Sequence, residues 1–194
     1  MTSVSVPLRR PVLADLIPGT LARDVALVIG VALLTAAAAQ VQIPLGFTPV
    51  PISGQTFAIL LGAAAVGPLR GSLAQLLYIA MGGVGLPFYS GGESGWQHLT
   101  GATGGYIVGF VAASAVVGAL ARRGLDRRPL GMALAFAAGT ATIYLIGAAW
   151  LAQVAGLSAG EAIAKGVAPF LVGDAVKALL AAALLPAAWR LTKP

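Results

Sequence analysis

Long stretches without any charged side chain constrain the fold of this chain more than any other feature. No Asp, Glu, Lys or Arg occurs between Asp24 and Arg70, or between Arg128 and Glu161. Each stretch exceeds the roughly 20 residues that an α-helix needs to cross a hydrocarbon core of about 30 Å. Only 9% of the 194 residues are charged, against roughly 25% in a soluble domain. The sequence therefore predicts an all-α, polytopic membrane protein.

Prolines, glycines and charge clusters divide the apolar sequence into six candidate transmembrane helices. Because the backbone in lipid must satisfy its own hydrogen bonds, we expect these helices to pack as a compact bundle. We expect residues 1–194 to form a single integral-membrane domain. The predicted helices span residues 22–41, 53–67, 69–87, 103–122, 130–155 and 166–190.

Lys and Arg lie almost entirely in alternate connections between the predicted helices. The opposite connections, around residues 42–52, 88–102 and 156–165, contain only Lys165. The positive-inside rule therefore predicts that both termini are cytoplasmic and that these three loops face outward. The cations on the predicted inner side are Arg9, Arg10, Arg23, Arg70, Arg122, Arg123, Arg127, Arg128, Arg190 and Lys193.

Composition also disfavours several classes of function. The net charge of +6 does not indicate a nucleic-acid partner, because the cations are not interleaved with aromatic residues on a soluble module. The chain has no Cys, and one His and one Glu in the loop of residues 88–102 are too few ligands for a metal site. It has no Gly-x-x-x-x-Gly-Lys-Ser/Thr motif, so ATP-driven work would need another chain.

Two opposite charges, Asp174 and Lys177, interrupt the last predicted helix. If this helix begins near Gly166, Asp174 lies roughly 12 Å along it at about 1.5 Å per residue. A charged side chain inside the membrane costs at least a few kcal/mol and usually has a partner or a function. The i, i+3 spacing places both groups on one helical face. They form either a neutralised pair that fixes the helix in the bundle or an outward-facing site for a cyclic urea, an amide or an amino acid.

The first predicted outer loop is stiffened by three prolines and leads into polar residues at the membrane edge. These polar residues are Ser53, Gln55 and Thr56, at the start of the second predicted helix. A stiff loop beside them is interpreted either as a lid over a site or as a packed connector.

The loop before the fourth predicted helix is rich in glycine. Thr103 is a candidate N-cap for that helix, and the backbone N–H groups near Gly104 and Gly105 would favour an anion such as a carboxylate. Trp96 and Tyr106 are interpreted either as residues of the membrane interface or as apolar walls of a pocket.

Ser94 and His98 in the same loop superficially resemble the nucleophile and base of an intramembrane serine hydrolase. That chemistry needs a nucleophile and a base within hydrogen-bond reach, normally supplied by separate elements. Both residues lie in one loop outside the predicted helices, so we disfavour this alternative.

Ala32 and Ala36 form a small-xxx-small pair in the first predicted helix. Small residues at this spacing allow helices to approach closely. The pair is interpreted either as internal packing or as a docking surface for another membrane subunit.

Short motifs follow one another in a specific order along nearly the whole chain. They are Phe47-Thr48-Pro49-Val50-Pro51-Ile52 with Gln55-Thr56, Leu60-Leu61-Gly62, Gly67-Pro68-Leu69-Arg70-Gly71, Leu76-Leu77-Tyr78, Gly82-Gly83-Val84-Gly85-Leu86-Pro87, Gly101-Ala102-Thr103-Gly104-Gly105-Tyr106 with Gly109-Phe110, Pro169-Phe170, Gly173-Asp174 and Lys177. In this order the chain resembles the BioY family, the biotin-specific S components of energy-coupling factor transporters.

The resemblance implies a six-helix S-component fold in the bacterial plasma membrane and high-affinity capture of biotin from the outer side. It implies that Asp174 and Lys177 contact the ureido ring, whose N–H groups suit a carboxylate and whose carbonyl suits an ammonium. An S component for another vitamin is the alternative. The expected ligand-binding residues are Asp174, Lys177, Gln55, Thr56, Trp96, Thr103, Gly104, Gly105 and Tyr106.

The resemblance also implies partners and no catalysis by this chain. A transmembrane T component is expected to dock at Ala32 and Ala36, and separate subunits are expected to hydrolyse ATP. The outer halves of the third and fourth predicted helices contain no Arg or Lys for the valerate carboxylate of biotin. We therefore expect Tyr106 and the amides of Gly104 and Gly105 to hold it.

Overall fold

The computed structural model describes residues 10–192 and is almost entirely helical. Arg9 and Lys193, which contribute to the predicted charge asymmetry, lie outside these residues. Short 3-10 turns cover Leu13–Leu16, Ser90–Gly92 and Leu125–Arg127. The helices and strands are α1 (Leu21–Gln40), β1 (Gln42–Ile43), β2 (Ile52–Ser53), α2 (Gln55–Val66), α3 (Pro68–Gly83), α4 (Trp96–Thr100), α5 (Gly104–Ala121), α6 (Pro129–Val154), α7 (Ala159–Gly166) and α8 (Leu171–Leu191).

The six predicted helices correspond to α1, α2, α3, α5, α6 and α8, while two predicted outer loops contain the short helices α4 and α7. Four segments are long and apolar enough to cross a membrane, namely α1, α5, α6 and the stretch Ala159–Leu191. Helices α2 and α3 are shorter, with 12 and 16 residues. The chain is thus an all-helical, multi-pass membrane protein.

The last helix begins later than predicted. Helix α7 ends at Gly166, Val167 leaves helical geometry with φ −129°, and a 3-10 turn over Ala168–Phe170 precedes α8. Asp174 therefore lies in the first turn of α8, not roughly 12 Å along a continuous helix. The partial positive charge at a helix N-terminus favours a carboxylate at this position.

Helix α5 lies at the centre of the bundle, where it packs against α2, α3 and α6. Glycines make the contact with α6 close. A Cβ added to Gly109 would lie 3.2 Å from the Cα of Ile143, so a side chain there would push the helices apart. Small residues at such contacts are typical of membrane bundles, in which close packing replaces the hydrophobic driving force.

Helix α1 packs against α2 and α3 and turns its other side outward. Ala32 is fully buried and Ala36 is only 6% exposed. This corrects the expectation that the two alanines form a docking surface, because neither is accessible to a partner; the internal-packing interpretation applies. The small residues on the exposed side of α1 are Ala22, Ala26, Gly30 and Ala37.

An ion-pair network joins the N-terminal segment to the α2–α3 and α5–α6 connections. Arg70 lies 2.7 Å from Asp15 and 3.1 Å from Asp24, and Arg122 lies 3.3 Å from Asp15. Burial acts to raise the pKa of Asp15, but the hydrogen bond from Arg70 and the other interactions outweigh it, so the pKa is lowered. Two connections that the charge pattern assigns to one side therefore do meet at one end of the bundle.

Candidate ligand-binding site

The polar centre of the site is the ammonium of Lys177 on α8. Its Nζ donates hydrogen bonds to the carbonyl oxygen of Ser53, to Oγ1 of Thr56 and to Oδ1 of Asp174, each at 2.8 Å. An ammonium has three donors, and here all three have acceptors. The cation is therefore held by β2, by the first turn of α2 and by its own helix.

The carboxylate of Asp174 is equally well partnered and only 6% exposed. Oδ1 accepts from Lys177 and also from the hydroxyl of Thr56 at 3.1 Å, and Oδ2 accepts from the hydroxyl of Tyr144 on α6. Buried charges of this kind are stable when they are paired and hydrogen-bonded. In this state, the interpretation as a neutralised pair describes the geometry.

The charged pair also lines a cavity, so the two interpretations made from the sequence are compatible. The cavity is lined by residues of β2, α2, α5, α6 and α8. Small-molecule sites have mostly apolar walls and a few polar groups that fix orientation. Here Phe110, Ile143 and Phe170 supply apolar wall, and Asp174 and Lys177 supply the charges.

Six of the nine predicted ligand-binding residues meet around this cavity, and three do not. Trp96 is 66% exposed and lies outside the lining, as do Gly104 and Gly105. The residues that line the cavity are Gln55, Thr56, Thr103, Tyr106, Asp174 and Lys177.

At the start of α5, two of the donors that were expected to hold an anion are bonded to backbone carbonyls. The N–H of Gly104 donates to the carbonyl of Gly101 at 3.1 Å, and the hydroxyl of Tyr106 donates to the carbonyl of Gly166 at 2.9 Å. The space that a Cβ would take at Gly104 and Gly105 is filled by the Leu99 carbonyl and the Trp150 side chain. These glycines serve helix packing, because α4 and α6 fill the space beside them.

Tyr144 is a site residue that the sequence analysis missed. It lies in the apolar helix α6, 30 positions before the aspartate that it contacts. The available signal was a phenol in an otherwise apolar helix, because a buried tyrosine hydroxyl usually has a hydrogen-bond partner.

The glycine loop (residues 88–102) does not assemble a hydrolase site. No hydrogen bond joins Ser94 and His98 in the part of the chain that the structure describes. Nε2 of His98 lies 3.1 Å from Oγ1 of Thr103, and the imidazole stacks on the ring of Tyr89 at a centroid distance of 5.0 Å. The single histidine is thus engaged by groups other than the proposed nucleophile.

A second cavity adjoins the first and lies between the proline loop (residues 42–52) and the glycine loop. The two cavities share four lining residues, which are Pro51, Ser90, His98 and Thr103. Together they form an inner cavity at the charged pair and an outer cavity under the two loops.

The BioY family model matches residues 8–194. The chain belongs to the BioY family. It is 38% identical over 160 residues to the probable biotin transporter BioY of Pyrococcus horikoshii, covering 82% of this chain and 92% of the relative. It is 34% identical over 149 residues to the biotin transporter BioY of Rhizobium etli, covering 73% and 79%.

Membership of the BioY family confirms the identification made from the motifs. The fold also matches the crystal structure of the S-component for biotin from an ECF-type ABC transporter, with a TM-score of 0.80 over 89% of this chain and 93% of that one. The two sequences are 21% identical, so this likeness shows the S-component fold. The charged pair and its cavity therefore belong to a BioY chain with that fold.

Proposed function

We propose that this chain is the membrane-embedded biotin-binding subunit of an energy-coupling factor transporter. The observation that carries this proposal is the Asp174–Lys177 pair, set side by side in the wall of a cavity that is otherwise largely apolar. The names of the BioY relatives, which are biotin transporters, support biotin as the ligand. The chain performs no covalent chemistry, and ATP hydrolysis belongs to separate subunits.

Biotin would bind by exchanging partners within the existing network. Each donor of Lys177 is occupied, so the ureido carbonyl replaces one of its three acceptors. The ureido N–H groups donate to Asp174 in the same way. Because charged groups then trade one hydrogen bond for another, little desolvation is left uncompensated. The apolar part of the bicyclic ring packs against Phe110 and Phe170.

Mass spectrometry of small molecules that copurify with the detergent-solubilised protein tests the ligand. We expect biotin to be released on denaturation, in about one copy per chain. Another vitamin in its place would support the alternative that this is an S component of different specificity. An empty preparation that binds no vitamin would contradict both.

Replacing Tyr144 with Phe is expected to weaken biotin binding about tenfold. The hydroxyl holds Oδ2 of Asp174, and a hydrogen bond to a charged group contributes about 1.5 to 3 kcal/mol, part of which solvent or ligand recovers in the variant. Calorimetric titration measures the change. Thr142→Val on the same helix is a suitable control, because its hydroxyl only bonds the backbone of Ala138; equal losses in both variants would contradict a role for Tyr144 in the site.

The orientation that we propose has six membrane spans, with both termini in the cytoplasm and the ligand cavity opening outward at the cell membrane. The clustering of Arg70 and Arg122 at one end of the bundle supports it, since such residues favour the cytoplasmic side. The site residues Thr56, Thr103 and Asp174 lie at the N-terminal ends of α2, α5 and α8. These helix ends are opposite to the end of the bundle that holds Arg70 and Arg122.

We assign the docking of the T component to the exposed side of α1. Ala22, Ala26 and Gly30 repeat at i, i+4 and i+8 and are all exposed. A Cβ added at Gly30 would have no neighbour within 4 Å, so a partner helix can approach the backbone there. Small residues at four-residue spacing allow such close approach between membrane helices.

A further inference from the structure

We propose that His98 and Thr103 bind the carboxylate at the end of the ligand opposite the ureido ring, as an uncharged hydrogen-bonding pair. This inference rests on the biotin-binding function proposed above. It replaces the helix N-terminus that the sequence suggested, because Gly104 and Tyr106 have already given their donors to the backbone.

The position of the pair supports this assignment. His98 and Thr103 line both the inner and the outer cavity, whereas Asp174 and Lys177 line the inner cavity alone. An elongated ligand whose urea lies on the charged pair therefore directs its other end toward the junction of the two cavities. His98 is held there by its stacking on Tyr89, so its ring edge is presented in a fixed orientation.

The hydrogen bond between the two side chains leaves one donor for a ligand in either arrangement. A neutral imidazole has one N–H, and threonine has one O–H. If Thr103 donates to Nε2 of His98, the proton of the ring is on Nδ1 and free; if Nε2 donates to Thr103, the hydroxyl proton is free. An acid tail at the junction therefore finds a donor whichever tautomer is present.

The charges around the two cavities make this pair important. Among the described residues, Lys177 is the only cation that lines either cavity, and its three donors are occupied. Glu93 lines the outer cavity and repels an anion. Recognition of the carboxylate thus depends on neutral donors, which distinguish an acid from an amide less strongly than an arginine would.

Protonation of His98 changes the strength of this recognition. Burial lowers the pKa of His98, and the nearby Glu93 only partly offsets it, so the ring is neutral at pH 7. The groups that face it are Tyr89, Thr103 and Glu93. When the pH falls below the pKa, the ring gains a charge and a second donor, and affinity for a carboxylate rises.

Calorimetric titration of the purified protein with biotin and with biotin amide tests the proposal. We expect His98→Phe, which keeps the stacking on Tyr89, to weaken biotin about tenfold or more, because hydrogen bonds to charged groups contribute about 1.5 to 3 kcal/mol. Binding of the amide should change less than binding of biotin, by roughly 2- to 13-fold, since neutral hydrogen bonds contribute about 0.5 to 1.5 kcal/mol. Lowering the pH through the pKa of His98 should tighten the binding of biotin, but not of the amide, and only in the wild type.

Two further variants keep the outcome decisive. Thr103→Val removes the hydroxyl at nearly constant shape and replaces His98→Phe as the test if that variant fails to fold. Gln97→Ala, an exposed neighbour on α4, is the control and should bind both probes normally. If the wild type binds biotin but the variants weaken the binding of biotin and of biotin amide equally, or weaken neither, the proposal for His98 and Thr103 is overturned. The proposed function as a biotin-binding subunit is then unaffected. If the wild type binds neither probe, the proposed function itself fails.

Discussion

Lys177→Met is expected to weaken biotin binding by at least about 30-fold, because loss of one partner from a buried charge pair typically costs 2 to 5 kcal/mol. The substitution removes the donor for the ureido carbonyl. It also leaves the carboxylate of Asp174, which is 6% exposed, with only the hydroxyls of Thr56 and Tyr144. Calorimetric titration measures the loss of affinity.

The controls separate loss of the site from loss of the fold. Arg190→Met removes a cation from an exposed position on the same helix and should leave affinity unchanged. The double variant Asp174→Asn with Lys177→Met restores neutrality and should recover thermal stability without recovering affinity. Wild-type affinity in Lys177→Met would remove the ammonium from the site.

Gly30→Trp is expected to reduce energised biotin uptake to the level of cells that lack the T component, while biotin binding by the purified subunit stays normal. An indole at this exposed position of α1 blocks the close approach of a partner helix. Uptake of labelled biotin, in cells that also produce the T component and the ATPases, measures the effect.

Leu145→Trp is the matched control for this substitution. Leu145 is 75% exposed on α6, so the same side chain is added to another outward-facing surface. We expect uptake to remain normal in this variant. Normal uptake in Gly30→Trp would show that the T component docks elsewhere, whereas loss of uptake in both variants would point to a general defect in the membrane.

The positions of the long helices could be predicted because charge-free segments and breaks at Gly and Pro are local features of the sequence. The start of α8 was predicted too early, although Pro169 in the turn that Val167 begins is a local signal of a helix break. Which alanines of α1 are exposed could not be predicted either. Alanines occur on both sides of that helix, so Ala32 and Ala36 cannot be told from Ala22 and Ala26 until the neighbouring helices are known.

Some residues of the candidate site could also be predicted from the sequence, and others could not. Asp174 and Lys177 stand out because charges are rare in apolar helices and their spacing is local. Tyr144 joins them only through the packing of α6 against α8. The sequence suggested Gly104 and Gly105 as free donors, but the N–H of Gly104 donates to the preceding turn and the side chain of Trp150 packs against Gly105. Such competition within the chain depends on tertiary structure.

The charged pair has two roles in the proposed function. In the structure, Lys177 and Asp174 are bonded to each other and to Ser53, Thr56 and Tyr144. In the proposed complex, the ureido group of biotin takes over part of these bonds. The same residues would then stabilise the bundle and bind the ligand, so variants at this pair need separate measurements of stability and affinity.

Calorimetric titration of the detergent-solubilised, ligand-free protein with biotin tests the central claim most directly. We expect saturable binding of one biotin per chain, and we expect Lys177→Met to weaken it while Arg190→Met leaves it unchanged. Absence of biotin binding by the folded wild-type protein, or equal affinity in the wild type and Lys177→Met, would contradict the assignment of this cavity as a biotin site.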